Sequence, residues 1–500
     1  VNGFDYIVVG AGSAGCAVAG RLAADSSATV LLIEAGGTDR RFTIRAPLMY
    51  ALQFGTSLDW AYQSEPEPGC AHRRLPLPRG RALGGTSSMN GMVWVKGSSL
   101  DYDGWDLPGW AWSDVEPVFA RIEQTSIHVT RLSDPDELSP LFVAAARATG
   151  VPANDELSGP ALEGAALAPV TIHRGQRWSA ARGYLRRRPN LTILTRAHVQ
   201  RVVVRAGRAV AVEYCRRGRV HTAVADREII VSAGAYGTPQ LLQLSGIGPA
   251  DHLCAVGVSP VLDSPTVGAG LVDHPSAFAT WALAPGHAGL TDAVNPKYLA
   301  QWVFGRKGKF ASNLMEAVAH IRSTPDAPAC DIQLMFAPDD VLTKTLHPKP
   351  TLSVGHSYWT PKSRGSVLIR SPKPDVAPAI CNNLLTERGD IDALILAVER
   401  SREIIATEPI AAAVDRELVP GAGTDIEESI RQTATTTHHP ACSVAMGKHP
   451  DSALDEKLRV RGVANLRVAD ASVLPVIPRA NTNAASIMVG ERCADFLLAL

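Results

Sequence analysis

The stretch 4-FDYIVVGAGSAGCAVAGRLAADSSATVLLIEAGG-37 decides the fold class. Ile7, Val8 and Val9 form a short apolar run, Gly10, Gly12 and Gly15 then spell G-x-G-x-x-G, and a helix of small residues leads to a second apolar run from Val30 to Ile33. Glycine at these positions permits a tight turn, close approach of backbone to a pyrophosphate and close packing of helix on sheet, while the helix N-terminus offers free N–H groups to phosphate. Glu34 ends the second strand nineteen residues past Gly15, where a carboxylate accepts hydrogen bonds from an adenosine ribose. Strand, glycine turn, helix and acid together predict a Rossmann-like dinucleotide site in an α/β fold. The motif alone does not separate FAD from NAD.

Five hundred residues exceed what one hydrophobic core usually serves, so two domains, which can be interleaved in sequence, are expected. Forty-nine basic residues balance forty-nine acidic ones, which gives no overall field toward nucleic acid or an anionic surface. Eight cysteines stand singly, without a CxxC pair or a secretory spacing, and point to a reduced, cytoplasmic protein. No apolar run approaches the ~18 residues of a membrane span.

Three further segments specify the cofactor. At 80-GRALGGTSSMNGMVWVKGSSLDYD-103 a glycine-rich turn leads into small hydroxylated residues and an asparagine. At 234-GAYGTPQLLQLSGIG-248 a glycine-bracketed helix is expected to begin at Thr238 and Pro239. At 458-LRVRGVANLRVADASVLPVIPRANTNAASIMVGERCADFLL-498 a strand runs into Asp470, followed by an irregular loop and a closing helix. Together these segments resemble the glucose-methanol-choline (GMC) oxidoreductases, flavoproteins that oxidise alcohols with FAD, and the resemblance runs almost end to end, through 268-GAGLVDHP-275 and 363-SRGSVLIRS-371.

The resemblance implies a discontinuous FAD-binding domain over 1–150, 190–280 and 435–500. A substrate-binding domain over 151–189 and 281–434 would carry an antiparallel sheet backed by helices. It also implies that Gly10, Gly12, Ser13, Ala14, Gly15, Glu34 and Ala35 hold the ADP half, with Trp60, Arg81 and the backbone of Val199 nearby. Gly84, Gly85, Thr86, Ser87, Asn90, Gly91, Met92 and Val93 would lie along the flavin and ribityl chain, and Ala233, Gly234, Asp470, Ala471, Asn481 and Thr482 would complete the cofactor site. Some members attach FAD through a histidine in G-G-x-S-S-H-N; here Met89 stands at that position, so noncovalent FAD is expected.

The segment 437-THHPACSVAMG-447 resembles the Y-H-P-x-G-T segment that carries the family's catalytic histidine. That register makes His439 the general base, His438 a residue of the substrate pocket, and Asn481 the downstream partner. A neutral imidazole can take a hydroxyl proton while the carbon gives hydride to flavin N5, and an amide N–H can steady the oxygen without competing for the proton. A metal reading of His438, His439, Cys442 and His449 fits no common zinc spacing, so no metal is expected.

The expected reaction is oxidation of a small primary alcohol to the aldehyde. Residues 177-RWSAARGYL-185 and the A-N-T-N segment at 480–483 look most like bacterial enzymes acting on hydroxymethyl groups of aromatic rings, such as 5-hydroxymethylfurfural oxidase and pyridoxine 4-oxidase. A choline-type or other aliphatic alcohol dehydrogenase, a flavin-containing hydroxynitrile lyase and a flavin-bearing binding protein are the rival readings. The electron acceptor, whether oxygen, a quinone or a dye, is left open. Trp302, Phe304, Tyr358 and Trp359 are read as core of the substrate domain rather than as a cage for a cation.

Overall fold

The computed structural model describes residues 3–290, 295–340 and 350–499. Its first layer grows from the opening motif. Strands β1 (Gly3–Val9) and β2 (Val30–Ile33) pair in parallel on either side of helix α1 (Ser13–Asp25). A β-strand, β3 (Leu191–Leu194), adds in parallel to β2. On the other side β4 (Ala197–Arg205), β5 (Arg208–Arg216) and the long β6 (Arg219–Val231) form an antiparallel meander. The second half of β6 returns to pair in parallel with β1, giving the order β3-β2-β1-β6-β5-β4. Both central strands end fully buried, as continuous Val/Ile/Leu runs in a parallel sheet do.

Helix α1 lies against this sheet because its face is built of small residues. A Cβ at Gly15 would stand 1.9 Å from the Gly10 carbonyl oxygen, so only glycine lets the first turn close on the strand. Helix α2 (Gly234–Leu244) follows β6 directly. It begins four residues before the expected start at Thr238, and Pro239 sits inside it. The carbonyl of Ala235 that Pro239 cannot bond instead accepts the Ser443 hydroxyl at 2.6 Å, which satisfies the acceptor that an interior proline leaves free.

The second layer is an antiparallel sheet with five longer strands: β7 (Pro275–Leu283), β8 (Ala317–Ile321), β9 (Ile332–Ala337), β10 (Thr351–Tyr358) and β11 (Val414–Val419). The order is β11-β7-β10-β9-β8, with Gly164–Leu167 beyond β8 and Thr435–Thr436 beside β7. Alternation divides each strand between two environments. Ala277, Ala279, Trp281 and Leu283 of β7, with Ile332, Leu334 and Phe336 of β9, share a core with helix α3 (Arg388–Ile405). Helix Leu138–Ala148 packs on the same core. Phe278, Gln333 and Met335 face the opposite side.

The chain returns to the first layer through β12 (Leu466–Val468), parallel to β6, and ends in α4 (Asn483–Leu498). Helices α1 and α4 pack backbone to backbone: a Cβ at Gly490 would fall 2.5 Å from the Ala14 carbonyl oxygen. All eight cysteines are free thiols. Among the described residues no helix is long and apolar enough to cross a membrane. Of the four aromatics read as core, Trp302, Tyr358 and Trp359 are buried, but Phe304 is 89% exposed on a surface helix.

Candidate active site between the two sheets

A cavity of about 550 Å³ runs between the layers. One end is the nucleotide-like end. Glu34 is fixed there by backbone: its carboxylate accepts the N–H of Ala11 at 3.0 Å and of Gly36 at 2.7 Å. Burial pushes its pKa up to about 7, against those two amides and the nearby Arg81. The Trp60 ring, Ala35 and Val199 line the same end; Trp60 lies 5.4 Å from the His198 ring and carries the Arg81 guanidinium at 4.7 Å.

The wall continues along Gly10, Gly12, Ser13 and Ala14, then Gly85, Thr86, Asn90, Gly91, Met92 and Val93, with Ala233, Gly234, Asp470, Ala471 and Thr482 opposite. Asp470 ties helix α2 to the turn Ala471–Val473, accepting the Gly234 N–H at 2.9 Å, the Thr238 hydroxyl at 2.6 Å and the Ser472 N–H at 2.8 Å. Cβ atoms built at Gly91 or Gly234 would meet nothing within 4 Å. Backbone is thus bared toward an elongated space, as a bound dinucleotide requires, and the residues present fit one. Four expected contacts do not line the cavity. Gly15 and Gly84 serve the turn itself and Arg81 lies behind Trp60. Ser87 spends its hydroxyl on the Gly84 carbonyl and the Ala180 N–H. Met89 does line it and is 2% exposed.

At the other end stand the paired histidines. Residues 437–441 run antiparallel to 272–274: Thr437 N–H donates to the His274 carbonyl at 3.0 Å, and Val272 and Ala441 exchange both backbone bonds. The peptide joining His438 to His439 is held at both ends. Its carbonyl accepts the Arg79 guanidinium at 2.6 Å, and its N–H donates to Asp273 at 2.8 Å. His438 is left-handed, with φ +61°, so the segment is not extended here. Both imidazoles consequently line the cavity, His438 beside the Phe54 ring at 6.1 Å.

The hydrogen bonds determine which nitrogen of His439 carries the proton. His320 bonds the Leu162 carbonyl through Nδ1 at 3.1 Å, so Nδ1 is the donor and Nε2 accepts from the Gln333 amide at 3.0 Å. Gln333 in turn faces Asn481 reciprocally, Nε2 to Oδ1 at 3.4 Å and Oε1 to Nδ2 at 3.5 Å. Asn481 therefore turns its amide nitrogen toward His439 Nε2, 3.3 Å away. That nitrogen presents a lone pair, and Nδ1 is the protonated one, within 3.0 Å of the Thr437 hydroxyl and 3.1 Å of His274 Nδ1.

Burial is the main cause of every pKa shift in this cluster. It drives His439 well below its ordinary value, helped by His274, Arg79 and His438, and brings His438, His274 and His320 to about 3. Asp273 is pushed up to about 7 by burial against Arg79 and three hydrogen bonds. The imidazoles are neutral, and an unprotonated Nε2 beside an amide N–H can accept a proton from a hydroxyl held between them. Asp273 and His274 belong to 268-GAGLVDHP-275, a segment carried by the resemblance without a role. Gln333, His320 and Arg79 gave no sequence signal.

Two models of the family described as GMC oxidoreductase match the chain, over residues 4–276 and 361–490. An oxygen-dependent choline dehydrogenase of Sinorhizobium fredii is 37% identical, covering 99% of this chain and 95% of that protein. An alcohol dehydrogenase [acceptor] of Pseudomonas putida is 36% identical, covering 99% and 96%. Among solved structures, pyridoxine 4-oxidase from Mesorbium loti superimposes with a TM-score of 0.89 at 28% identity, covering 98% of each chain.

Proposed function

The chain belongs to the GMC oxidoreductase family, enzymes that act on alcohols, and from that premise we propose that it oxidises an uncharged primary alcohol borne on an aromatic or heteroaromatic ring. His439 is the base, Asn481 the oxygen partner, and FAD is held without a covalent bond. The observation that carries the substrate class is the lining around His439. Tyr50, Phe54, Phe278, Met315 and Met335 make it apolar, and the two carboxylates among its described lining residues, Glu34 and Asp470, are both engaged by backbone N–H groups. Among the described lining residues a quaternary ammonium would find no other carboxylate, and the neighbouring Arg79 would oppose it.

In this mechanism His439 Nε2 accepts the hydroxyl proton while Asn481 Nδ2–H donates to the same oxygen as negative charge develops. FAD, when bound, supplies the hydride acceptor. Gln333 holds the amide of Asn481 in register, and the apolar wall keeps water from the reacting carbon. The same reading keeps the two-unit division of the chain, 1–150, 190–280 and 435–500 against 151–189 and 281–434, with helix Leu138–Ala148 reassigned to the second unit because it packs on that sheet.

A panel of benzylic, furanic, aliphatic and choline-type alcohols, mixed anaerobically with the yellow holoprotein, tests the reading. Ring-borne primary alcohols should bleach the flavin fastest. Faster bleaching by choline would overturn the substrate class, and no bleaching by any alcohol would favour the lyase. Acid precipitation should leave intact FAD in the supernatant, since a methionine thioether occupies the position of the attaching histidine; flavin that stays in the pellet contradicts noncovalent binding. Gln333→Leu removes both bonds that orient Asn481 and should slow flavin reduction roughly tenfold, the scale of one misplaced hydrogen bond. FAD content should not change, and a wild-type rate would remove Gln333 from the mechanism.

A further inference from the structure

Helix Pro296–Gly305 buries only Trp302. Leu299 and Val303, one turn apart, are 38% and 43% exposed, and Phe304 is 89% exposed. Phe42 joins this helix to a second segment, its ring edge-on to Trp302 at 5.2 Å. That segment continues through Arg45 into the short helix Pro47–Gln53, where Leu52 is 61% exposed. Nine large apolar side chains are strongly exposed among the described residues, and five of them, Phe42, Leu52, Leu299, Val303 and Phe304, lie on these two segments. Single exposed apolar residues need no explanation; a cluster on packed neighbours does.

Charge is concentrated in the same place. Residues 38–54 and 295–311 contain seven basic residues, Arg40, Arg41, Arg45, Lys297, Arg306, Lys307 and Lys309, and one acid, Asp39, in a chain whose charges cancel overall. Arg306 folds over the Trp302 ring at 4.2 Å, so the basic and apolar parts are contiguous. Arg40, Arg41 and Lys307 are exposed side chains. Apolar side chains rimmed by cations match a surface that is anionic outside and apolar beneath. A second copy of the chain would face seven cations with seven, so self-association through this face is opposed by repulsion.

We propose that this face docks the protein on an anionic lipid bilayer, with Val303 and Phe304 entering the headgroup region and the arginine and lysine rim held by phosphate. The docking is peripheral. It also places a wall of the active-site cavity near the bilayer, because the helix that exposes Leu52 turns Tyr50 inward to line that cavity.

The test uses the FAD-loaded protein and large unilamellar vesicles, either phosphatidylcholine alone or equal parts phosphatidylcholine and phosphatidylglycerol, in a co-sedimentation assay. Binding to the mixed vesicles should be at least about tenfold tighter than to phosphatidylcholine and should weaken with salt. Val303→Ser/Phe304→Ser should lose about tenfold. Arg40→Glu/Arg41→Glu should lose more, since each basic group near an anionic surface is worth roughly fivefold. Flavin absorbance per chain and far-ultraviolet circular dichroism should match wild type in both variants, since all four side chains are exposed. Absence of binding to either vesicle, equal binding to both, or variants that sediment like wild type would each overturn the proposal. So would a dimer in solution that Phe304→Ser dissociates, which would assign the face to a second copy.

Discussion

Anaerobic flavin reduction in His439→Ala should be slower than wild type by about 10²- to 10⁴-fold, the usual cost of removing a general base, with FAD still bound. The bonds that shape the segment are made by backbone: the His439 N–H to Asp273, the His438 carbonyl to Arg79, and the Thr437 N–H to the His274 carbonyl. None depends on the imidazole, so the loop should survive the substitution. His274 cannot replace the lost base, because it contacts the Nδ1 side of His439, opposite the nitrogen beside Asn481. His438→Ala should cost far less, since its ring meets Phe54 and Thr436 rather than Asn481. If His438→Ala is instead the crippled variant, the assignment of the base fails and the Asn481 pairing fails with it. The pH dependence follows from the same burial. A histidine whose pKa is depressed stays unprotonated below its ordinary value, so the reduction rate should stay level as pH falls past about 6.5 and decline only in more acidic solution. A decline centred near that ordinary value would show that His439 is not desolvated as its surroundings require.

Glu34→Ala should weaken FAD binding by about 10- to 100-fold, the worth of one lost hydrogen bond to a carboxylate, without slowing flavin reduction in the fraction that retains the cofactor. The carboxylate has two functions in the structure. It lines the nucleotide end of the cavity, and it also accepts the N–H groups of Ala11 and Gly36, which hold the glycine turn in place. Alanine leaves both amides unpaired in a buried position. The apoprotein should therefore also unfold at lower temperature. Glu34→Gln keeps an acceptor oxygen for one of these amides and should fall between wild type and Glu34→Ala in both measurements. Wild-type FAD affinity in Glu34→Ala would mean that the second strand does not end at the ribose.

Elements built from consecutive residues could be read from the chain alone. The strand, glycine turn, helix and acid from Phe4 to Glu34 lie within about one βαβ unit, and each step is enforced by local geometry: small residues where helix meets strand, apolar runs where the sheet is buried on both faces. The histidine before Pro440 and the downstream Asn481 were legible because each belongs to a short segment with its own pattern. Two local readings failed for identifiable reasons. Helix α2 starts at Gly234 because Ser443, distant in sequence, takes over the carbonyl that Pro239 leaves free. Phe304 is not core, because the helix that carries it turns only Trp302 inward, and periodicity cannot reveal which face of a short helix finds a partner.

The surroundings of His439 depended on pairings that no local pattern encodes. His320 and Gln333 stand opposite each other only through the register of β8 on β9, and they reach Asn481 only because that sheet faces the start of α4. Asp273 and His274 meet His439 through a pairing of segments more than 160 residues apart. The sequence by itself determined which groups could do the chemistry. Which nitrogen carries the proton, which way the amide points and how far the imidazoles are desolvated were decided by tertiary structure, because hydrogen-bond direction and burial arise from neighbours in space rather than in the chain.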